Sequence, residues 1–291
     1  MPRIMMRVAY DGTEYSGWQV QPNAITIEGV LNAALAELTG EEIQVIGASR
    51  TDAGVHSLGN VCVFDTNTRI PPEKICFAVN NKLPQDIRVI ESGQVPDDFH
   101  PRRCDSIKTY EYRIWNDKFP SPTLRRESHF TYRKINVDNM RAAAEKLVGE
   151  HDFGAFCGAG SQAETTVRTI YGIEIIEEER EESISKHNEL NTGAKKDADD
   201  GYQFGRMIRI RVTGSGFLYN MVRIIAGTLL DIGTGLLDVD VIDKCLETHD
   251  RADAGPTAPA CGLTMIGIRF PITTFDSFDL PEGSYDKWTM N

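Results

Sequence analysis

Apolar residues fill almost every position of residues 3–10 (Arg-Ile-Met-Met-Arg-Val-Ala-Tyr), the pattern of a strand covered on both faces. The spacing then changes. Val30, Leu31, Ala34, Leu35 and Leu38 recur at helical period, with Thr26 placed to cap the start and Gly40 to end it. Short strands are expected at 43–47, 59–66 and 87–94, with a second helix from Pro71 to about Leu83. The order is β-α-β-β-α-β, a ferredoxin-like split unit. Pro96 to Pro101 reads as a linker. Beyond it, residues 106–115 alternate: Ile107, Thr109, Glu111 and Arg113 on one face, Lys108, Tyr110, Tyr112 and Ile114 on the other. A helix led by Asn136-Val137-Asp138 through Val148 follows, then long strands at 167–178 and 204–213. An apolar helix opens at Gly216-Phe217-Leu218 and runs to about Ile232, another spans about 239–249, and Gly262 to Phe270 is a last strand. The second half repeats the element order of the first with an extra helix, without a repeat of residues. The expectation is an α/β (α+β) protein of two ferredoxin-like halves, 1–104 and 105–270, ending in an acidic tail at 271–291.

Charge alters that picture in two places. The formal net charge is −12, which at first sight argues against a nucleic-acid partner. Residues 177–201 hold nine acids against four bases, and residues 271–291 hold four acids against one base. Most of the excess negative charge therefore sits in two segments, and a local basic surface remains open, since a polyanion responds to the local field. The Asn/Gly/Asp-rich stretch 179–203 reads as a solvated hairpin tip inserted between two strands. No run approaches the ~20 apolar residues that a membrane span needs. The opening Met-Pro-Arg-Ile-Met-Met-Arg has a charge where a signal peptide's apolar centre belongs, so a cytoplasmic protein is expected. The six cysteines are scattered without a Cys-x-x-Cys pair, and His100 with Cys104 is too little for zinc, so no metal site is expected. Cys62 and Cys76 lie in apolar runs and read as core.

The chemistry concentrates in residues 48–56, Ala-Ser-Arg-Thr-Asp-Ala-Gly-Val-His, where an expected strand hands over to a loop. Loops leaving a rigid strand are where reactive groups are aimed. Arg50 and Asp52 would project to one side of an extended segment, and an adjacent arginine favours the carboxylate. Gly54 permits a sharp turn immediately afterwards. A surface turn with a local ion pair accounts for the same residues. Elsewhere, no Gly-x-Ser-x-Gly, phosphate-binding loop or dinucleotide fingerprint is present. What remains is one carboxylate able to act as a nucleophile at a sugar or base carbon, with aromatic residues able to stack a base.

The stretch Arg50-Thr51-Asp52-Ala53-Gly54-Val55-His56 resembles the signature of the TruA family of tRNA pseudouridine synthases, with Ser49 where that family usually has glycine. Seven further blocks stand in the family's order, one before this stretch and six after it. They are Tyr10-Asp11-Gly12 with Tyr15 to Gln19, Asn80 to Ile87, Asp97 to Arg102, Lys108 to Arg113, Gly149 to Phe153, and Phe217 to Arg223; Ala260 to Leu263 closes the series. The resemblance covers about residues 3–270. It implies the pseudouridine synthase fold, in which the two halves join a mixed, largely antiparallel sheet around a central catalytic cleft. It implies isomerisation of uridine to pseudouridine at positions 38, 39 and 40 of the tRNA anticodon stem-loop, by a homodimer without cofactor or metal. By the same resemblance, Asp52 is the catalytic nucleophile, Tyr110 packs on the target base and is a candidate to take its C5 proton, and Arg223 pairs with the aspartate. Arg50 helps flip the base, Leu263 lines the uracil pocket, and His56 is a candidate substrate contact.

Elementary chemistry agrees with those assignments. A stacked uridine cannot react, so it must be flipped out. A carboxylate can bond to C1′ or to the base and then leave. Attack on the base, attack on the sugar and abstraction of a sugar proton all remain open. Each residue also has a plain structural reading: Tyr110 as a sheet aromatic, His56 as a satisfied histidine, Trp18 as a packed indole rather than an RNA contact. Two rival functions stay in view, an RNA-binding protein without catalysis and a retaining glycoside hydrolase. The latter needs a second carboxylate about 5 Å from Asp52.

Overall fold

A computed structural model describes residues 1–179 and 204–270. Nearly all of the expected acidic insertion at 179–203, and the tail at 271–291, lie outside the described residues. The strands in chain order are β1 (Arg3–Tyr10), β2 (Ile46–Gly47), β3 (His56–Asp65), β4 (Ile87–Val95), β5 (Ile107–Asn116), β6 (His129–Thr131), β7 (Gly149–Asp152), β8 (Val167–Glu179), β9 (Arg206–Gly214) and β10 (Leu263–Arg269). The α-helices are α1 (Ile27–Thr39), α2 (Ile75–Val79), α3 (Val137–Glu145), α4 (Met221–Gly233) and α5 (Val241–Thr248). The mixed α/β class follows as expected. Two compact units emerge, residues 1–109 with those from Thr264 onward, and residues 110–263. The division falls inside β5 and at the start of β10, so most of the last strand belongs with the first unit.

In the first unit β1 lies between β3 and β4, antiparallel to both, with Met6 opposite Cys62 and Ser92. Strand β3 has two further neighbours at its two ends. β2 joins it antiparallel through Ile46 opposite Val63, and β10 joins it parallel through Thr264 opposite His56. The order β4-β1-β3-β2 is that of a split β-α-β-β-α-β unit. Ile4, Met6, Val8, Leu31, Leu35, Phe64, Ile75 and Val89 form the core between this sheet and α1 and α2. Thr26 caps α1, its side chain accepting from the Gly29 N–H, and Gly40 ends the helix at φ 72. Cys62 and Cys76 are buried as expected.

In the first unit two elements are much shorter than the sequence expectation. The strand expected at 43–47 shrinks to Ile46–Gly47. Ile43 and Val45 are buried, but the Val45 N–H donates to Asn32 Oδ1 on α1 (2.8 Å) instead of to a ladder partner. The helix expected over 71–83 becomes a 3-10 turn at Pro72–Lys74 and then only Ile75–Val79. It stops because Asn80 turns to the sheet: its amide donates to the Val89 carbonyl (2.8 Å) and accepts from the Val89 N–H (2.9 Å).

The second unit orders its strands β5-β9-β8-β7, with β6 parallel to β5. Strands β8 and β9 are antiparallel over their length, Ile175 facing Ile210 and Glu174 facing Arg211. Helix α3, capped by Asn136 through the Asn139 N–H (3.1 Å), packs on β8 and α4. Sequence pattern alone missed β6 and β7, the first because three residues show no period, the second because Gly-Glu-His-Asp has no apolar alternation. Among the described residues no helix is long and apolar enough to cross a membrane.

Candidate active site

The first unit carries Arg50, Asp52 and His56. The segment from Ala48 to Val55 has no regular structure of its own, yet neighbours hold it at almost every residue. Lys108 Nζ donates to the Ala48 carbonyl (3.2 Å), and Asn60 Nδ2 donates to the Ser49 carbonyl (3.0 Å). The Thr51 hydroxyl bonds the buried Tyr10 hydroxyl (2.8 Å). The loop's other side is tied to residues 12–18: the Trp18 N–H donates to the Thr51 carbonyl (3.0 Å), and the Gly54 N–H to the Tyr15 carbonyl (3.3 Å). The Val55 N–H closes a tight turn onto the Asp52 carbonyl (3.1 Å), with Gly54 at φ 78. Asp52 is thus half-buried on a fixed backbone, with Arg50 exposed beside it. A preorganised carboxylate of this kind suits attack on a bound group, because its position costs nothing further at the moment of reaction.

Residues 12–18 approach so closely that glycine is required. Gly17 has φ 87, and a Cβ there would lie 2.5 Å from the Thr51 carbonyl oxygen and 3.1 Å from the Asp52 carbonyl carbon. Gly17→Ala is expected to destabilise the fold by about 1–3 kcal/mol, from left-handed strain and the forced retreat of the Asp52 loop. Chemical denaturation measures this, and an unchanged midpoint would contradict the close approach.

His56 is the first residue of β3 and is only 8% exposed. Its Nδ1 accepts from the Gly12 N–H (3.1 Å) and lies 3.1 Å from Asp11 Oδ1. Its Nε2 is buried with no hydrogen-bond partner among the described residues. The ring therefore ties the 11–12 turn to β3. Trp18 likewise faces inward, 2% exposed and 6.0 Å from the Tyr10 ring, so it packs beneath its loop. Tyr15 is buried too, its hydroxyl donating to Asp86 Oδ1 (2.8 Å); burial and that carboxylate push its ionisation upward.

The second unit carries Tyr110, Arg223 and Leu263. Tyr110 is 6% exposed on β5 and meets Phe217 edge-on, ring centroids 5.4 Å apart at 88°. Arg223 lies in the first turn of α4. Its Nε donates to the Ala258 carbonyl and its Nη1 to Asn220 Oδ1, both at 2.8 Å. The Ala258 N–H returns to the Arg223 carbonyl (3.1 Å), so the two segments are paired in both directions. Leu263 is buried and follows a 3-10 turn at Ala260–Gly262, whose Gly262 lies against the Tyr112 ring. Helix α4 was expected to open at Gly216 and instead begins at Met221, because Asn220 adopts a left-handed backbone. Phe217 and Asn220 were legible only as members of a motif block. Their contacts with Tyr110 and Arg223 carry no signal in a single sequence.

Residues 6–102 and 143–271 match the family described as tRNA pseudouridine synthase. The tRNA pseudouridine synthase A of Thermoanaerobacter sp. (strain X514) is 43% identical over 269 residues, covering 92% of this chain and 99% of that protein. The proteins of the same name from Acetivibrio thermocellus and Ruminiclostridium cellulolyticum are 40% and 42% identical, each covering 93% of this chain and all of the relative. With both halves matched and identity of this order sustained along nearly the whole chain, it belongs to the tRNA pseudouridine synthase family.

Proposed function

We propose that this chain isomerises uridine to pseudouridine at positions 38, 39 and 40 of the tRNA anticodon stem-loop, with Asp52 as the nucleophile. The observation that carries this reading is the Asp52 loop itself: a half-buried carboxylate on a backbone held from both sides by Tyr10, Trp18, Asn60 and Lys108. Asp52 bonds to the flipped nucleoside, at the sugar or the base, while the N1–C1′ bond breaks. The freed uracil rotates, C5 bonds to C1′, and the carboxylate leaves. The hydrogen on C5 departs as a proton, with the Tyr110 oxygen as acceptor. Arg223 pairs with the Asp52 carboxylate, and exposed Arg50 works on the displaced stack. Buried Leu263 keeps water from an intermediate that water would hydrolyse. The enzyme works as a cytoplasmic homodimer without metal or cofactor, each tRNA touching both subunits.

A surface of the second unit supports a polyanionic substrate despite the net charge. Residues 118–134 contain five Lys or Arg and one Glu. Because β5 and β6 run parallel, with Asn116 opposite Thr131, Lys118 and Phe119 leave the sheet beside Tyr132, Arg133 and Lys134. All five are exposed, Phe119 at 53% and Tyr132 at 66%. Basic side chains interleaved with exposed aromatics suit phosphates and unstacked bases. tRNA affinity is therefore expected to fall steeply with salt, by about tenfold or more between 50 and 200 mM. Filter binding at several salt concentrations reads it, and a flat profile would remove the electrostatic part of this reading.

The deciding experiment uses tRNA carrying tritium at uridine C5. The wild-type chain is expected to release tritium to water from transcripts with uridine at 38 to 40, and none from transcripts lacking it there. No release from any of them would end the enzyme reading.

A further inference from the structure

Helix α4 begins in an unusual way. An asparagine at the residue before a helix normally has an extended backbone, and its side chain accepts one of the first free N–H groups. Asn220 does neither: it sits at φ 59, ψ 5 and makes no side-chain capping bond. The left-handed conformation and the forgone cap both cost stability. The side chain is directed at Arg223 instead, Oδ1 accepting from Nη1 at 2.8 Å.

Asn220 Oδ1 is one of the acceptors that Arg223 meets. A cation in the first turn of a helix faces the positive end of the helix dipole and gains nothing from it. Nε bonds the Ala258 carbonyl there and Nη1 bonds Asn220 Oδ1. Being made by different nitrogens of one planar group, these bonds fix the orientation of the guanidinium as well as its position. The neighbourhood makes Asn220 hard to move. Gly158 packs against it so tightly that a Cβ would meet Asn220 Nδ2 at 3.0 Å, and the Gly158 N–H bonds the preceding Tyr219 carbonyl (2.8 Å). The Ile224 N–H takes the Asn220 carbonyl (2.9 Å), which launches the helix that carries Arg223.

We infer that Asn220 is a positioning residue that orients the Arg223 guanidinium for the reaction, its left-handed backbone and lost cap being what that orientation costs. The inference rests on the reading of Arg223 as the partner of Asp52.

Three variants separate the side-chain acceptor from the backbone. Asn220→Gly keeps the left-handed backbone without strain and removes Oδ1. Asn220→Asp keeps an oxygen acceptor and tolerates the same backbone. Asn220→Ala removes the acceptor and adds strain. In the tritium-release assay Asn220→Gly is expected to lower kcat about tenfold to a hundredfold, the loss of one charge-assisted bond, with KM within about twofold of wild type. Asn220→Asp is expected to recover most of that loss, and Asn220→Ala to match the glycine variant in kcat while melting at lower temperature. Wild-type kcat in Asn220→Gly would overturn the inference. So would equal loss in Asn220→Asp and Asn220→Gly, or a loss confined to KM. Absence of tritium release by wild-type protein refutes the enzyme reading instead, so the two failures are distinct.

Discussion

Asp52→Ala is expected to abolish tritium release from uridine-labelled tRNA, lowering kcat by about 10,000-fold or more, as loss of a covalent nucleophile does in other enzymes. Asp52→Asn is expected to be equally inactive. It preserves shape and most hydrogen bonds, but a neutral amide neither attacks the nucleoside nor leaves it as a carboxylate does. Both variants are expected to stay folded. The Asp52 loop is held through the carbonyls of Ala48, Ser49 and Thr51, the Thr51 hydroxyl and the backbone of residues 52–55, none of which the substitutions remove. Asp52 is half-buried and lies outside the apolar core, so a stability change of about 1 kcal/mol is expected from thermal unfolding. Retained tRNA binding by filter assay, together with lost turnover, is the signature of a chemical role. Turnover by Asp52→Ala at the wild-type rate would remove the nucleophile assignment and leave family membership untouched.

The second large effect concerns stability. Glu111 on β5 is 1% exposed, and three arginines surround it: Arg113 Nε at 3.0 Å, Arg211 Nη2 at 2.9 Å and Arg209 Nη1 at 3.4 Å. Burial by itself would raise its ionisation, but the bonds and charges of Arg113, Arg211 and Arg209 outweigh burial and hold it below the ordinary glutamate value. Arg209 and Arg211 also reach Glu178 and Glu174 on β8, so Glu111 is the innermost anion of a network that spans three strands. Glu111→Ala is expected to destabilise the protein by about 3–5 kcal/mol, because the arginine charges lose their most buried partner. Glu111→Gln should cost less, since an amide oxygen still accepts. The pH dependence has a definite sign. A depressed folded-state value stabilises at pH above the unfolded value of about 4.3 and loses that contribution as pH falls through the folded value. The stability gap between wild type and Glu111→Gln is therefore expected to be full near neutrality and to close in acid. Urea denaturation at a series of pH values measures it. A gap that widens in acid would contradict the ionised assignment.

Asn80 and Asn220 show where sequence stops. Both sit in the motif blocks, and both end or begin a helix against local expectation. Asn80 halts α2 by bonding Val89 on β4, and Asn220 delays α4 by turning its side chain to Arg223. In each case a specific tertiary partner overrode a helical pattern that periodicity alone would have extended.

By itself the sequence determined the order of elements apart from β6 and β7, many of the strand and helix limits, the caps at Thr26 and Gly40, and the core cysteines. These follow from side-chain period and from bonds between residues within one helical turn, which a chain states locally. Its motif blocks also marked the family along nearly the whole length. Only the tertiary structure decided that β2 is two residues long, that Trp18 and His56 face inward, and that the Asp52 loop is gripped by residues 12–18. It also decided which acceptors orient Arg223 and which cations surround Glu111. Those partners lie 35 residues away in the case of Ala258 and 100 in the case of Arg211, separations at which nothing but the folded chain sets the distance.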